Sequence, residues 1–148
     1  VDREPTAAVL DLLGFRQVAE EGRMTRYRSE ASIGHTIIIE ELDSPVPSLN
    51  GRSIVHHITF RARDENELGR LQELVHQMGL SPSSIIDRHL YKSIYFRTPG
   101  GVLFEIATDG PGYDSVSDAS KMGRELFLPP WLEESRERIE SSLPGIRI

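Results

Sequence analysis

The sequence predicts an α+β fold in which two paired βαβββ modules form a curved, open, barrel-like mixed sheet, with the first strand of the first module missing. Two amphipathic helices each end at a glycine, and three strand-like segments follow each helix. Landmarks of the two modules recur in the same order, which favours an internal duplication. These landmarks, 65 to 69 residues apart, are Gly14 with Gly79, Tyr27 with Phe96, and Gly34 with Gly101.

The first module, residues 1–48, begins with a predicted helix over residues 2–15. Pro5 lies in its first turn, and Gly14 ends it in front of an apolar residue. The strand-like segments that follow cover residues 16–20, 24–29 and 35–42.

The second module, residues 53–112, begins with a strand over residues 53–63 that is rich in β-branched and aromatic residues. A helix is predicted over residues 64–80, because Asp64 and Glu67 form a capping-box-like start and Gly79 ends the apolar stripe. Three further strands are predicted over residues 84–88, 92–97 and 102–108.

The first module has no counterpart of the strand over residues 53–63. The helix-opening residues Asp2 and Asp64 are 62 residues apart, so that counterpart would lie almost entirely before Val1. We therefore expect the chain to come from a longer parent. Because a missing strand leaves an open sheet edge, we also expect a homo-oligomer or pairing with a missing N-terminal half.

The sequence pattern changes in the tail, residues 113–148. A turn-rich stretch precedes an amphipathic helix that is expected to start after Pro130 and to end before Pro144. We expect this helix to pack across the sheets as a lid, although a helix that binds a partner protein fits the same pattern. Its predicted buried side consists of Trp131 or Leu132, Ile139 and Leu143.

Composition argues against several classes of function. The chain carries 17 Lys and Arg against 23 Asp and Glu and has no basic run, which argues against nucleic acid or a membrane as partner. No apolar run approaches the roughly 20 residues that span a bilayer, and we expect a cytoplasmic protein. Since Cys is absent, any metal must be bound by nitrogen and oxygen.

Strand alternation predicts which polar side chains meet. It places His56 on the helix-covered face and His57, Tyr95 and Glu105 on the opposite, concave face. A carboxylate between apolar neighbours in a central strand needs a cation or strong hydrogen-bond donors. An imidazole and a carboxylate suit Fe(II), Mn(II), Zn(II) or Ni(II). A hydrogen-bonded pair of His57 and Glu105 without metal fits the pattern equally well.

Three strings carry a resemblance to a known family: VHHITFRARD at 55–64, DRHLYKSIYFRTPGGVLFEIATDGPG at 87–112, and LFLPPWLEESRERIESSLP at 126–144. They resemble the C-terminal half of ring-cleaving, extradiol-type dioxygenases of the vicinal-oxygen-chelate superfamily, which also includes glyoxalase I and bleomycin-resistance proteins. The resemblance covers nearly the whole chain and is strongest over residues 56–112. It implies the glyoxalase/bleomycin resistance/dioxygenase fold.

The resemblance also implies the chemistry. His57 and Glu105 match metal ligands of the family, with Fe(II) expected first and Mn, Zn or Ni as alternatives. The third ligand, a histidine, is expected on the strand before Val1. Tyr95 matches a tyrosine that hydrogen-bonds the aromatic substrate, and the implied reaction opens a dihydroxylated ring with O₂.

Other implied roles match the sequence less closely. The family's acid–base histidine is replaced by Ile86 or Asp87, and His89, displaced by a few residues, is the candidate for this catalytic role. Arg97 is the candidate substrate-binding residue. A glyoxalase-like lyase or isomerase with another metal, a metal-free drug-binding protein and an inactive isolated fragment stay open as alternatives.

Overall fold

The structure, a computed structural model, describes residues 3–43 and 55–145. The first module consists of α1 (Arg3–Leu12), β1 (Arg16–Glu21), β2 (Met24–Arg28) and β3 (Thr36–Glu40). The second consists of β4 (Ile58–Ala62), α2 (Glu65–Gln77), β5 (Ile86–Asp87), β6 (Lys92–Arg97) and β7 (Leu103–Thr108). The tail contains 3₁₀ helices at Tyr113–Ser115 and Pro130–Ser135 and the helix α3 (Arg136–Ser142).

The strands form two sheets, one from each module. The first sheet has the order β1-β2-β3 and is antiparallel. The second has the order β4-β7-β6-β5, in which β4 runs parallel to β7 and the other pairs are antiparallel. This mixture of helices with antiparallel and mixed sheets confirms the predicted α+β class.

Local sequence explains where α2 begins and ends. The carboxylate of Asp64 accepts a hydrogen bond from the backbone N–H of Glu67 at 2.8 Å, which satisfies one of the free donors of the first turn. Gly79 adopts a left-handed conformation with φ +79°, and Gly14 does so after α1 with φ +85°. Both predicted helix ends are therefore confirmed.

One apolar core joins the two modules. The predicted inward faces of β6 and β7 are confirmed, since Ile94, Phe96, Phe104 and Ile106 are buried. In the first module, Val9 and Leu10 of α1 are completely buried as well, as is Leu68 of α2. These side chains belong to one hydrophobic cluster, which packs α1 and α2 against the strands.

Two predictions about side-chain burial are wrong. His56 is exposed instead of packed, because it precedes β4 and its side chain contacts His57 rather than pointing to the opposite face, while residues 53 and 54 lie outside the described residues. In the tail, Trp131 is 64% exposed and Leu143 is 49% exposed, so they do not form a buried helix face. The cause is a break in the predicted helix, whose first part is a 3₁₀ helix.

In the described part of the tail, the side chain of Leu128 is buried and attaches the tail to the rest of the protein. No helix in the described ranges has the length and apolar character needed to cross a membrane. The division into modules at residues 1–48 and 53–112 with a tail at 113–148 remains a prediction.

Candidate functional site

Strand register brings three polar side chains together on the face of the second sheet. Thr59 of β4 lies opposite Glu105 of β7, and Tyr95 of β6 lies opposite the same glutamate. His57 precedes Thr59 by two residues, and its Nε2 atom is 3.0 Å from Oε2 of Glu105. The structure thus brings together His57, Tyr95 and Glu105, as strand alternation predicts.

Glu105 is only 2% exposed, but both of its oxygens have partners. Thr59 Oγ1 donates a hydrogen bond of 2.7 Å to Oε2, and the Tyr95 hydroxyl donates to Oε1. Burial alone would raise the pKa of Glu105, but the hydrogen bonds and the nearby His57 outweigh it, and the pKa is lowered from its ordinary value. The site therefore holds a carboxylate in its charged form.

Ser93 lies in the same environment. Ser93 is completely buried, and its hydroxyl contributes to the lowered pKa of Glu105. The Ser93 Oγ atom nevertheless lacks the geometry of a hydrogen bond to any group in the described part of the chain. Its buried oxygen is thus an additional polar atom on the Glu105 side of the site.

A second histidine is in contact with the first. Nδ1 of His56 is 2.8 Å from Nδ1 of His57, and the two rings are nearly perpendicular, with centroids 5.1 Å apart. One of these nitrogens must carry the shared proton. If His57 uses Nε2 to bind an ion, its Nδ1 carries the proton and donates it to His56, which fixes the ring orientation.

Arg88 is a site residue that the sequence analysis missed. Its Nη2 atom donates to the Tyr95 hydroxyl at 3.3 Å, and its guanidinium carbon lies 5.4 Å from the centre of the Tyr95 ring. The hydrogen bond to Tyr95 is the main cause of a raised pKa for Arg88, which stays a cation. The only sequence signal is its position, directly after the short strand β5, seven residues before Tyr95.

Four of these polar residues line a cleft of about 600 Å³, and the buried Glu105 contacts two of them, His57 and Tyr95. The cleft combines a polar part with a wall of apolar and aromatic side chains, which is the usual composition of a small-molecule site. The polar part consists of His56, His57, Arg88 and Tyr95. The remaining lining residues are Leu90, Tyr91, Leu103, Tyr113, Phe127 and Pro129.

The other two predicted site residues lie elsewhere. The ring of His89 stacks on Phe127, and no described contact joins it to Tyr95 or Glu105. Arg97 is exposed and donates to the carbonyl of Gly101 at 3.0 Å, which stabilises the turn between β6 and β7. Neither residue lines the cleft, so the catalytic role of His89 and the substrate-binding role of Arg97 stay predictions without a supporting contact.

The donor set of the cleft fits a divalent metal ion. Within residues 3–43 and 55–145, no third His, Cys, Asp or Glu joins His57 and Glu105. Two ligands at right angles in an octahedral site, each about 2.1 Å from one ion, would be about 3.0 Å apart. The observed distance of 3.0 Å between Nε2 of His57 and Oε2 of Glu105 agrees with this separation. Imidazole nitrogen and carboxylate oxygen together suit Fe(II), Mn(II), Zn(II) and Ni(II).

Comparison with known proteins adds independent information. Residues 9–106 match the family model described as "Glyoxalase/Bleomycin resistance protein/Dioxygenase superfamily". The chain is 38% identical over 152 residues to the protein named "Putative ring-cleaving dioxygenase MhqA" of Bacillus subtilis, covering 97% of this chain and 48% of that protein. The chain therefore spans about half the length of this relative.

Two further matches point in the same direction. The chain is 33% identical over 104 residues to "Chlorohydroquinone/hydroquinone 1,2-dioxygenase" of Sphingobium indicum, covering 70% of this chain and 32% of that protein. A crystal structure titled "putative dioxygenase" from Bacillus subtilis superposes with a TM-score of 0.88 at 35% identity, over 97% of this chain and 46% of that one.

Proposed function

Because the chain belongs to the Glyoxalase/Bleomycin resistance protein/Dioxygenase superfamily, we propose that it forms the metal-binding part of a ring-cleaving dioxygenase that opens dihydroxylated aromatic rings with O₂. The observation that carries this proposal is the 3.0 Å approach of His57 to Glu105 in a cleft that also has an apolar wall. The names of its relatives, which include a hydroquinone dioxygenase, suggest substrates of the catechol or hydroquinone type.

His57 and Glu105 are the proposed protein ligands of the metal, with Fe(II) as the first candidate and Mn, Zn or Ni as alternatives. When bound, the metal would supply adjacent coordination positions for substrate and O₂ and a path for electron transfer between them. We propose that a further protein ligand comes from outside the described residues.

Tyr95 and Arg88 are proposed to bind the substrate at the polar end of the cleft. The Tyr95 hydroxyl lies between the Glu105 carboxylate and the Arg88 guanidinium, so it is in place to exchange a hydrogen bond with a ring oxygen. The positive charge of Arg88 would favour an anionic oxygen on the ring. The interactions of Tyr95 and Arg88 with the ring oxygen would become stronger as negative charge develops on that oxygen in the transition state. Interactions that strengthen in the transition state are the ones that accelerate a reaction.

The histidine pair and the apolar wall have supporting roles in this proposal. His56 would accept the Nδ1 proton of His57 and so keep Nε2 free to bind the metal. Leu90 and Leu103 would contact the faces or edges of the ring and exclude water from it.

Oxygen consumption tests the proposed reaction. The complete gene product, loaded anaerobically with Fe(II), should consume O₂ on addition of catechol or hydroquinone, and the ring chromophore should change as the ring opens. The Glu105→Gln variant is the matched control, because it keeps the shape of the side chain while removing the charge. Absence of oxygen uptake over a broad panel of catechols and hydroquinones would exclude the dioxygenase proposal.

Metal-free ligand binding has less support. A binding groove for an apolar drug does not require a buried carboxylate held by three side chains. No observation in the described residues favours a glyoxalase-like isomerase over the dioxygenase.

A further inference from the structure

We infer that Phe127, held in place by His89, is the wall of the cleft that determines which ring substituents the site accepts. The inference rests on the proposed function for the class of ligand, a substituted dihydroxybenzene. It concerns a part of the cleft that lies apart from the proposed metal ligands, because Phe127 comes from the tail.

Contacts on both sides fix the backbone that carries Phe127. Leu128, the next residue, is buried in the protein. The carbonyl of Leu126, the preceding residue, accepts a hydrogen bond of 3.0 Å from Nη1 of Arg136 in α3. The Phe127 ring therefore lines the cleft from a segment whose backbone is held at both neighbouring residues.

His89 supports the Phe127 ring directly. The two rings are nearly parallel, with an interplanar angle of 13° and a centroid distance of 5.9 Å. His89 adopts φ +69°, a conformation rare for residues other than glycine, and Asp87 Oδ1 accepts a hydrogen bond from its N–H at 2.6 Å. A strained backbone conformation that is maintained by a hydrogen bond indicates that the site requires His89 in this position.

The left-handed turn at His89 directs neighbouring side chains to different parts of the site. Arg88 extends to Tyr95 at the polar end of the cleft, and Leu90 lines the cleft, while His89 packs on Phe127 instead. The carbonyl of Leu90 accepts a hydrogen bond from the N–H of Gly112, which ties this turn to the beginning of the tail. One short turn thus positions both the polar end and the aromatic wall.

Further aromatic residues complete the outer part of the wall. Tyr113 meets Phe127 at a centroid distance of 6.4 Å, and Trp131 meets His89 edge-on at 5.6 Å. Tyr113 is 56% exposed and Trp131 is 64% exposed, so this end of the cleft opens to solvent. A substituent that points toward this end would contact Phe127 first, and its size would decide whether the ring can reach Tyr95.

The experiment measures binding rather than turnover. Dissociation constants of hydroquinone and of its 2-methyl, 2-tert-butyl and 2-phenyl derivatives would be determined anaerobically by calorimetry, with the complete gene product loaded with Fe(II).

We expect Phe127→Ala to improve binding of the tert-butyl and phenyl derivatives relative to hydroquinone by about 10-fold or more, the scale of discrimination by a hydrophobic pocket. Phe127→Leu, a smaller change, should shift the ratio in the same direction. His89→Asn should do so as well, since asparagine tolerates the left-handed conformation but lacks the ring. Leu132→Ala, in the same tail but outside the cleft, should leave the ratio unchanged.

An unchanged ratio in a folded Phe127→Ala or Phe127→Leu protein that still binds hydroquinone would overturn the inference. If none of the four compounds binds to the unmodified protein, the inference is overturned too. Ring binding with the expected shift but without oxygen uptake would instead support the inference and exclude the dioxygenase function.

Discussion

His57 and Glu105 approach each other to 3.0 Å between Nε2 and Oε2, although one residue precedes β4 and the other lies within β7. The parallel pairing of these strands explains the contact, because it sets Thr59 opposite Glu105 and leaves His57 on the same face two residues earlier. Two residues that are 48 positions apart in the sequence are thereby placed next to each other by strand pairing, which preorganises the two donors.

The first prediction concerns the metal ligands. We expect about one transition-metal ion per chain in the complete gene product, and we expect His57→Ala and Glu105→Gln each to remove most of it. Elemental analysis after dialysis measures the metal content. His76→Ala, an exposed histidine in α2, is the matched control and should keep the metal. Full metal content in both site variants would rule out the ligand assignment.

The second prediction concerns Thr59, which donates a 2.7 Å hydrogen bond to Glu105 Oε2. Replacing it in Thr59→Val keeps the side-chain volume but removes the donor, so the carboxylate loses one of the groups that orient it. We expect metal affinity to fall about 10- to 100-fold, the usual effect of losing a group that orients a ligand. Titration of the apoprotein with Fe(II) or Mn(II) gives the affinity. Thr59→Ser, which keeps the hydroxyl, should stay within a few-fold of the unmodified protein, and equal losses in both variants would contradict the argument.

The third prediction separates substrate binding from metal binding. Tyr95→Phe removes the hydroxyl that donates to Glu105 and accepts from Arg88, while His57 and Glu105 remain. Since Tyr95 also orients Glu105, metal affinity should fall as in Thr59→Val, and the variant is therefore assayed at saturating Fe(II). Under that condition, kcat for ring opening should fall about 100-fold, as expected for the loss of one well-placed donor. Tyr27→Phe, in the buried core of the first module, is the control for loss of a tyrosine hydroxyl. Unchanged kcat in the Tyr95 variant would exclude its proposed role.

Strand alternation was sufficient to predict much of this site. In β6 and β7, Ile94, Phe96, Phe104 and Ile106 alternate with the polar side chains, because these strands are flanked by others and have one face against the helices. Tyr95 and Glu105 could therefore be assigned to one face from the sequence. Alternation assigned His57 to the same face, but the pairing of β4 with β7 that brings it to Glu105 was not predicted and is seen only in the structure.

The rest of the site depends on backbone geometry that alternation does not describe. His56 reaches His57 because residues 55–57 lie outside a strand, where neighbouring side chains need not point to opposite faces. Arg88 and His89 diverge because of a left-handed residue that is not glycine, for which the sequence gives little signal. Helical periodicity likewise predicted a continuous helix after Pro130 and could not reveal its 3₁₀ start.

The last prediction concerns stability and pH at the start of α2. The side chain and the backbone N–H of Arg63 donate to the Glu67 carboxylate and lower its pKa. A carboxyl group whose pKa is lowered on folding stabilises the protein above its ordinary pKa, and this stabilisation is lost as the pH falls through the folded-state pKa. Glu67→Gln should therefore reduce the free energy of unfolding near neutral pH, by up to about 1 kcal/mol for an ion pair whose Arg63 side chain is 78% exposed. The effect should be smaller in acid, well below the ordinary pKa of a glutamate, because the carboxyl group of the unmodified protein takes up its proton as the pH falls. Thermal denaturation at both pH values measures the difference in stability.

Glu73→Gln is the control, since Glu73 accepts a hydrogen bond only from the neutral amide of Gln77 among the described contacts. An equal loss of stability from Glu67→Gln at both pH values would show that the carboxylate charge is not the cause.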